Sequence, residues 1–179
     1  NFTKSWGQQR GQDYETEITI ALEDAYHGAK KSISLQGIEP TSNGRARQRT
    51  LNYDIKIPPG VTEGSRIRLA GQGGNGVGGG PNGDLHITIH LKPHPAFRVN
   101  GHDIETDLPV TPWEAALGAT ISFKTPDGTV SLKIPAGTQS GQRIRLKKKG
   151  LPKRSGSDRG DLFAVVKVAT PKSMTQKEK

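Results

Sequence analysis

The chain repeats itself. Residues 55–73, IKIPPGVTEGSRIRLAGQG, lie over residues 132–150, LKIPAGTQSGQRIRLKKKG, at an offset of 77, with ten of nineteen positions identical. Both copies then run through nine residues into Gly-Asp-Leu, at Gly83 and at Gly160. A weaker match at an offset of 90 joins residues 15–32 to residues 105–122 through Glu15/Glu105, Thr16/Thr106, Ala25/Ala115, Gly28/Gly118, Ala29/Ala119 and Ser32/Ser122. Self-similarity on this scale constrains the architecture before any local reading does. The chain is two copies of one module, the second thirteen residues shorter between the matched blocks.

Each copy reads as β. Leu85, Ile87, Ile89 and Leu91 alternate with His86, Thr88, His90 and Lys92, the period of two of a half-buried strand. The same alternation sets Ile67 and Leu69 against Arg66 and Arg68, and Ile144 and Leu146 against Arg143, Arg145 and Lys147. Turn signals such as Pro58-Pro59-Gly60, Pro135-Ala136-Gly137 and Asp127-Gly128 separate the strands. Helix is expected only at residues 22–27 and 112–117, each ended by a glycine, Gly28 and Gly118, with Pro112 in the first turn of the second. The expected fold is therefore mainly β: two tandem homologous small β-sandwich modules, each with one short helix. Residues 1–13 read as a polar linker, 14–97 as module I, 98–170 as module II, and 171–179 as the start of a further, helix-compatible segment.

Composition removes several classes. Among 179 residues there is no cysteine, hence no disulfide framework, thiolate zinc site or thiol nucleophile. The longest apolar run, residues 162–166, is far below the roughly 20 residues that span a bilayer. No charged stretch followed by an apolar one opens the sequence, so no secretory signal is expected. The 26 Lys and Arg against 17 Asp and Glu give a net charge of +9.

The order IPPGVTEGSRIRLAGQG, glycine-rich loop, GDL, HPAF, PWEAALGA, IPAGTQSGQRIRLKKKG, GDL resembles the C-terminal, client-binding part of DnaJ-type J-domain co-chaperones over residues 14–171. Where class A members insert four Cys-x-x-Cys-x-Gly-x-Gly repeats, this chain has only residues 37–48 and no cysteine, so it resembles the zinc-free class B. The J-domain's His-Pro-Asp is not present: the His94-Pro95 step is followed by Ala96. A segment of this kind is not expected to stimulate the partner chaperone's ATPase by itself.

Several candidate sites fail on spacing. Residues 71–83 hold eight glycines and a literal G-x-G-x-x-G at Gly71, Gly73 and Gly76, but a dinucleotide site needs a helix to start there. Here Val77-Gly78-Gly79-Gly80-Pro81 follows, and the loop reads as a mobile hairpin connection. His86, His90 and His94 recur every four residues, which on a strand is roughly 13 Å, too far for one metal ion with bonds near 2 Å. Asp13, Glu15 and Glu17, and Asp103, Glu105 and Asp107, read as solvated acidic edges rather than acid and base pairs. No nucleophile elbow G-x-S-x-G occurs, and Gly64-Ser65 and Ser155-Gly156 fall in turns. We therefore expect no catalytic residues, no metal, no cofactor and no enzymatic activity.

Two binding readings survive. In the second module Arg143, Arg145, Lys147, Lys148, Lys149, Lys153, Arg154 and Arg159 face Asp158 alone within residues 143–159, a cluster able to neutralise phosphates without reading sequence. No aromatic side chain is interleaved to stack on bases. In the first module Ile18, Ile33, Leu35 and Ile87, flanked by Thr16 and Lys31, form a candidate strip on which an extended segment could add as a strand. Parity leaves groove and core open as alternatives for each of them.

The resemblance implies more than the residues do. It aligns Thr16, Ile18, Ile33, Leu35 and Ile87 with the client groove of class B members, and Lys31 and Lys92 with the lysines that hold the acidic C-terminal tail of the DnaK-type chaperone. It implies unfolded polypeptide clients, a DnaK-type partner, DNA as a further partner, no membrane, and a cytoplasmic location with nucleoid association as an option. It also implies a homodimeric parent paired through a segment after module II; only residues 171–179 stand there, shorter than the roughly 12–15 at which an isolated helix becomes marginal, so this length of chain is expected to be monomeric.

Overall fold

The computed structural model describes residues 7–40, 46–153 and 158–170. Among the described residues eleven strands and two six-residue helices follow one another in the order of the repeat. In the first module β1 (Tyr14–Ile20) leads into α1 (Leu22–His27), the ribbon β2 (Ala29–Pro40) and β3 (Ala46–Ile57), then β4 (Arg66–Leu69) and β5 (Leu85–Leu91). In the second β6 (Phe97–Asn100) and β7 (Asp103–Val110) precede α2 (Pro112–Leu117), the ribbon β8 (Ala119–Thr125) and β9 (Gly128–Ile134), then β10 (Arg143–Leu146) and β11 (Leu162–Val168). Both helices lie where their glycine stops place them, and Gly28 and Gly118 take φ of 79° and 82°. Thr111 caps α2 by accepting from the Glu114 amide at 3.4 Å, while the Glu114 carboxylate accepts from the Thr111 amide at 2.9 Å.

Each module packs a ribbon against a sheet. The sheets have orders β1-β5-β4 and β10-β11-β7-β6, with β1 and β7 parallel to the central strands β5 and β11. In-register pairs bring Thr16 beside Ile87 and Ile18 beside Ile89, and this face meets Ile33, Leu35, Tyr53 and Ile55 of the ribbon. The second module has its own cluster of Leu108, Val110, Ala115, Ile134, Ala164 and Val166, but the first module's core is shared. Ile104, Leu151 and Leu162 of the second half belong to the same apolar cluster as Ile20, Tyr26, Ile55 and Leu85 of the first.

Phe97, expected at the end of module I, is instead the first residue of β6 and pairs with Thr106 in the second sheet. The expected linker is docked over its described part: Gln9 exchanges backbone hydrogen bonds with Val77, and the Gly11 amide donates to the Pro81 carbonyl at 2.9 Å. The glycine-rich loop is therefore a packed loop rather than a bare connection, because another backbone runs through it. A Cβ at Gly83 would stand 2.0 Å from the Gln12 carbonyl oxygen. Among the described residues no helix is long and apolar enough to cross a membrane. The segments 1–6 and 171–179, and Arg154, lie outside the described residues.

Candidate functional site

The exposed edge of β1 is the feature on which a site can be built. Nothing among the described strands pairs with the side of β1 that faces away from β5, whereas β7, its counterpart, is covered over residues 103–106 by β6. A free edge presents unpaired backbone donors and acceptors, and here it adjoins apolar side chains. Thr16, Ile18, Ile33 and Leu35 are all half-buried, with the three apolar ones packed on the core. Ile87 is different. It is 0% exposed at the centre of the sheet, so it is core and not groove wall. The physical reason is strand order: β5 is flanked on both sides, and parity does not reveal that.

Beside β1 a crevice of about 530 Å³ opens between Tyr14 and Glu15 on one side and Leu35, Leu51 and Tyr53 on the other. Tyr14, Leu51 and Tyr53 escaped the sequence reading, although Leu51 and Tyr53 share the parity of Ile55 and Ile57 on β3. The Tyr53 hydroxyl donates to the Gln72 carbonyl at 3.1 Å. The crevice thus has aromatic and aliphatic walls and a strand edge as its border, the combination an extended segment needs.

The two lysines line different depressions but flank the same stretch of chain, Ile20 to Asp24. Lys31 pairs with Asp24 at 2.8 Å and lines a shallow depression with Lys30, Ser32, Asp54 and Lys56. Lys92 borders a different cavity, at the junction of the modules, with Leu22, Leu91 and Phe97. Its backbone amide extends the β1 pairing by donating to Ile20 at 2.8 Å.

The basic cluster is mostly paired. Arg143 reaches Glu105 at 3.1 Å and lies over the Phe163 ring at 4.5 Å, and Arg145 reaches Asp161 at 2.6 Å. Lys149 pairs with Asp127 at 3.3 Å and Lys153 with Asp158 at 3.2 Å. Of the described members, Lys147, Lys148 and Arg159 have no ion pair among the described residues. The apparent excess over Asp158 was local in sequence only, because the strands import carboxylates from β7, from the β8–β9 turn and from beside β11. The Lys148 amide donates to Asp161 at 2.8 Å, and chiefly this bond, with Arg145, holds the Asp161 carboxyl below its usual range.

The acidic edges are likewise engaged. Arg98 binds Glu105 at 2.8 Å and Asp107 at 2.7 Å; with Lys167 also on it, Asp107 is lowered to about 2. Each spaced histidine faces a carboxylate: His86 to Asp13 at 3.9 Å, His90 to Glu63 at 2.5 Å, and His94 to Glu23 at 3.3 Å. The Glu63 hydrogen bond raises the His90 pKa. Asp13, Asp84 and His86 gather their ligand atoms within 4.8 Å of one another. Asp84, however, already receives Arg68 at 2.7 Å, Arg10 at 2.8 Å and the Gly71 amide at 2.8 Å. A cation there would compete with two guanidinium groups, so the cluster is an ion-pair network holding a turn.

The match to the DnaJ C terminal domain model runs over residues 14–171. Similar chains are a curved DNA-binding protein of Coxiella burnetii, 46% identical over 99% of this chain and 56% of that protein, and ones of Pseudomonas syringae pv. tomato and Pseudomonas putida. The latter two are 45% and 47% identical over 92% and 91% of this chain. The chain spans about half the length of these curated relatives. Two β modules repeated in tandem over the stretch matched by the model make this chain a member of the DnaJ C-terminal domain family.

Proposed function

We propose that the chain is the polypeptide-holding part of a DnaJ-type co-chaperone, taking extended apolar segments along the free edge of β1. The observation that carries this reading is the unpaired strand edge beside the crevice of Tyr14, Leu35, Leu51 and Tyr53. Main-chain pairing supplies sequence-independent attraction, and alternate side chains of the guest enter the crevice. Thr16 and Ile18 follow Tyr14 along β1, and Ile33 precedes Leu35 on β2, so they continue the strip beyond the crevice. The lysine-rich depression at Lys30, Lys31 and Lys56, with Lys92 next to Ile20 just before α1, suits the acidic tail of a DnaK-type partner. In the whole protein two such edges, brought together by pairing of two chains, hold a client more firmly by raising effective concentration.

The test is suppression of aggregation of a denatured model protein without ATP. Ile33→Asp should weaken suppression while the variant keeps its circular dichroism spectrum and melting temperature. Equal protection by a folded variant would remove Ile33 from the site. Tyr14→Ser, in the wall of the crevice itself, provides a second variant with the same expected loss.

A second reading, DNA binding, is favoured by the +9 charge and by the name carried by the similar proteins. In the turn after β10, Lys147 and Lys148 are unpaired cations among the described residues. Replacing both by Ala should flatten the log–log salt dependence of DNA affinity by up to about 1.8.

A further inference from the structure

The joint between the modules encloses a cavity that neither reading uses. Gly60 has φ of 86°, and a Cβ there would stand 2.1 Å from the Pro152 carbonyl oxygen, so the first module's turn lies directly on the second module's loop. Leu151 and Pro152 are buried against it. The Arg159 guanidinium lies over the Tyr26 ring at 4.9 Å and donates to its hydroxyl at 2.6 Å. Beside this contact is a cavity of about 440 Å³.

Its charges have one sign. Arg66 and His27 line it from the first module, Lys153 and Arg159 from the second, while prolines and Val61 form the apolar wall. Among the described residues none of the lining side chains is acidic. Lys153 turns to Asp158, but Arg66 and Arg159 have no ion pair among the described residues. The hydroxyl that Arg159 contacts is neutral, because burial of Tyr26 raises its pKa. Asp158, paired with Lys153, and Asp127, whose charge reaches Tyr26, stand at its edge, but no acidic side chain among the described residues lines the cavity that the two arginines share. Guanidinium groups present paired donors that match an oxyanion, and apolar walls strengthen the interaction by excluding water.

We propose that this cavity binds a phosphoryl oxyanion, which bridges Arg66 of the first module to Arg159 of the second and clamps the joint. The oxyanion comes either free in solution or on a nucleic-acid backbone. The inference does not depend on client binding along β1.

The experiment is calorimetric titration of the full chain with inorganic phosphate, and separately with a short DNA duplex, against chloride at fixed ionic strength. Arg66→Ala should weaken phosphate binding about tenfold, the effect of losing one charge-assisted hydrogen bond. Arg66→Lys should recover part of it. Arg66 is exposed and unpaired among the described residues, so its variants should melt with the parent. The double variant of Lys147 and Lys148 should bind phosphate normally. Dependence on Arg66 in the duplex arm alone would assign the oxyanion to nucleic acid and support the site. Insensitivity of both arms to Arg66→Ala, or absence of binding in both, overturns it.

Discussion

The two modules share a turn scaffold and differ at their surfaces. In both, an aspartate after the long loop accepts a backbone amide from the turn and an arginine from the preceding strand: Asp84 takes Gly71 and Arg68, Asp161 takes Lys148 and Arg145. In both, a second aspartate accepts the amide of the first, Asp13 from Asp84 and Asp103 from Asp161. A carbonyl threads between two glycines each time, that of Gln12 between Gly73 and Gly83 and that of His102 between Gly150 and Gly160. The repeated letters RIRL, G and GDL are thus the parts of one turn. Divergence lies elsewhere: β1 is open where β7 is half covered, Tyr26 carries Arg159 where α2 has Ala116, and α2 exposes Trp113 at 54% and Leu117 at 80%. The duplicated frame is constrained by its own backbone, and the two copies are free to differ only where the frame is not touched.

Equivalent positions allow that division to be tested. The largest contrast should come from Gly60→Ala against Gly137→Ala. Both glycines have positive φ, 86° and 78°, but only Gly60 has a backbone atom in the way. Denaturant unfolding should show Gly60→Ala losing about 3 kcal/mol, strain plus overpacking, and Gly137→Ala about 1. Equal losses would mean that the joint contributes nothing. Next, Lys148 holds φ of 59° where its counterpart is Gly71. Lys148→Gly should stabilise by up to about 1 kcal/mol, read as a higher denaturant midpoint.

Acid should separate the modules further. Asp84 and Asp161 both have folded pKa values below their unfolded ones, led by the amide bonds from Gly71 and Lys148. A lowered carboxyl contributes stability that is complete above its unfolded pKa and is lost as pH falls through the folded value. Asp84 is buried and bears two arginines, so Asp84→Asn should flatten the acid limb of a stability–pH curve more than Asp161→Asn. The smallest effect belongs to His90. Its pKa is raised, so its contribution is full below the unfolded value and disappears as pH rises through the folded one. His90→Gln should remove a shallow decline in melting temperature above about pH 6.5. An unchanged profile would show that the Glu63 contact is too well solvated to matter.

Periodicity and turn residues made β4, β5 and β10, both helices and the duplication legible, whereas the ribbons β2–β3 and β8–β9 escaped the sequence reading. Strand order was not legible, and this is why Ile87 was grouped with Ile18: the two share a face, but one lies on the central strand and the other on the edge. The ion pairs of the basic stretch were hidden for the same reason, since Lys149 and Asp127 meet only when two turns are folded together. One pairing was accessible after all. The offset that matches Arg68 to Arg145 also matches Asp84 to Asp161, and a repeated charge pair of opposite sign is a signal for contact.

The shared apolar cluster has a consequence for how the chain is made. Ile104, Leu151 and Leu162 complete a core whose other members were synthesised up to a hundred or more residues earlier, among them Ile20 and Tyr26. A nascent chain that has released only residues 7–100 from the ribosome carries an exposed Tyr26 face and cannot close it. The first module must wait for the second, and a polypeptide-holding edge is therefore completed only after nearly all of this length has emerged. Nascent chains stalled between residues 100 and 165 should be cut by protease near Tyr26, and those stalled beyond the exit of β11 should resist.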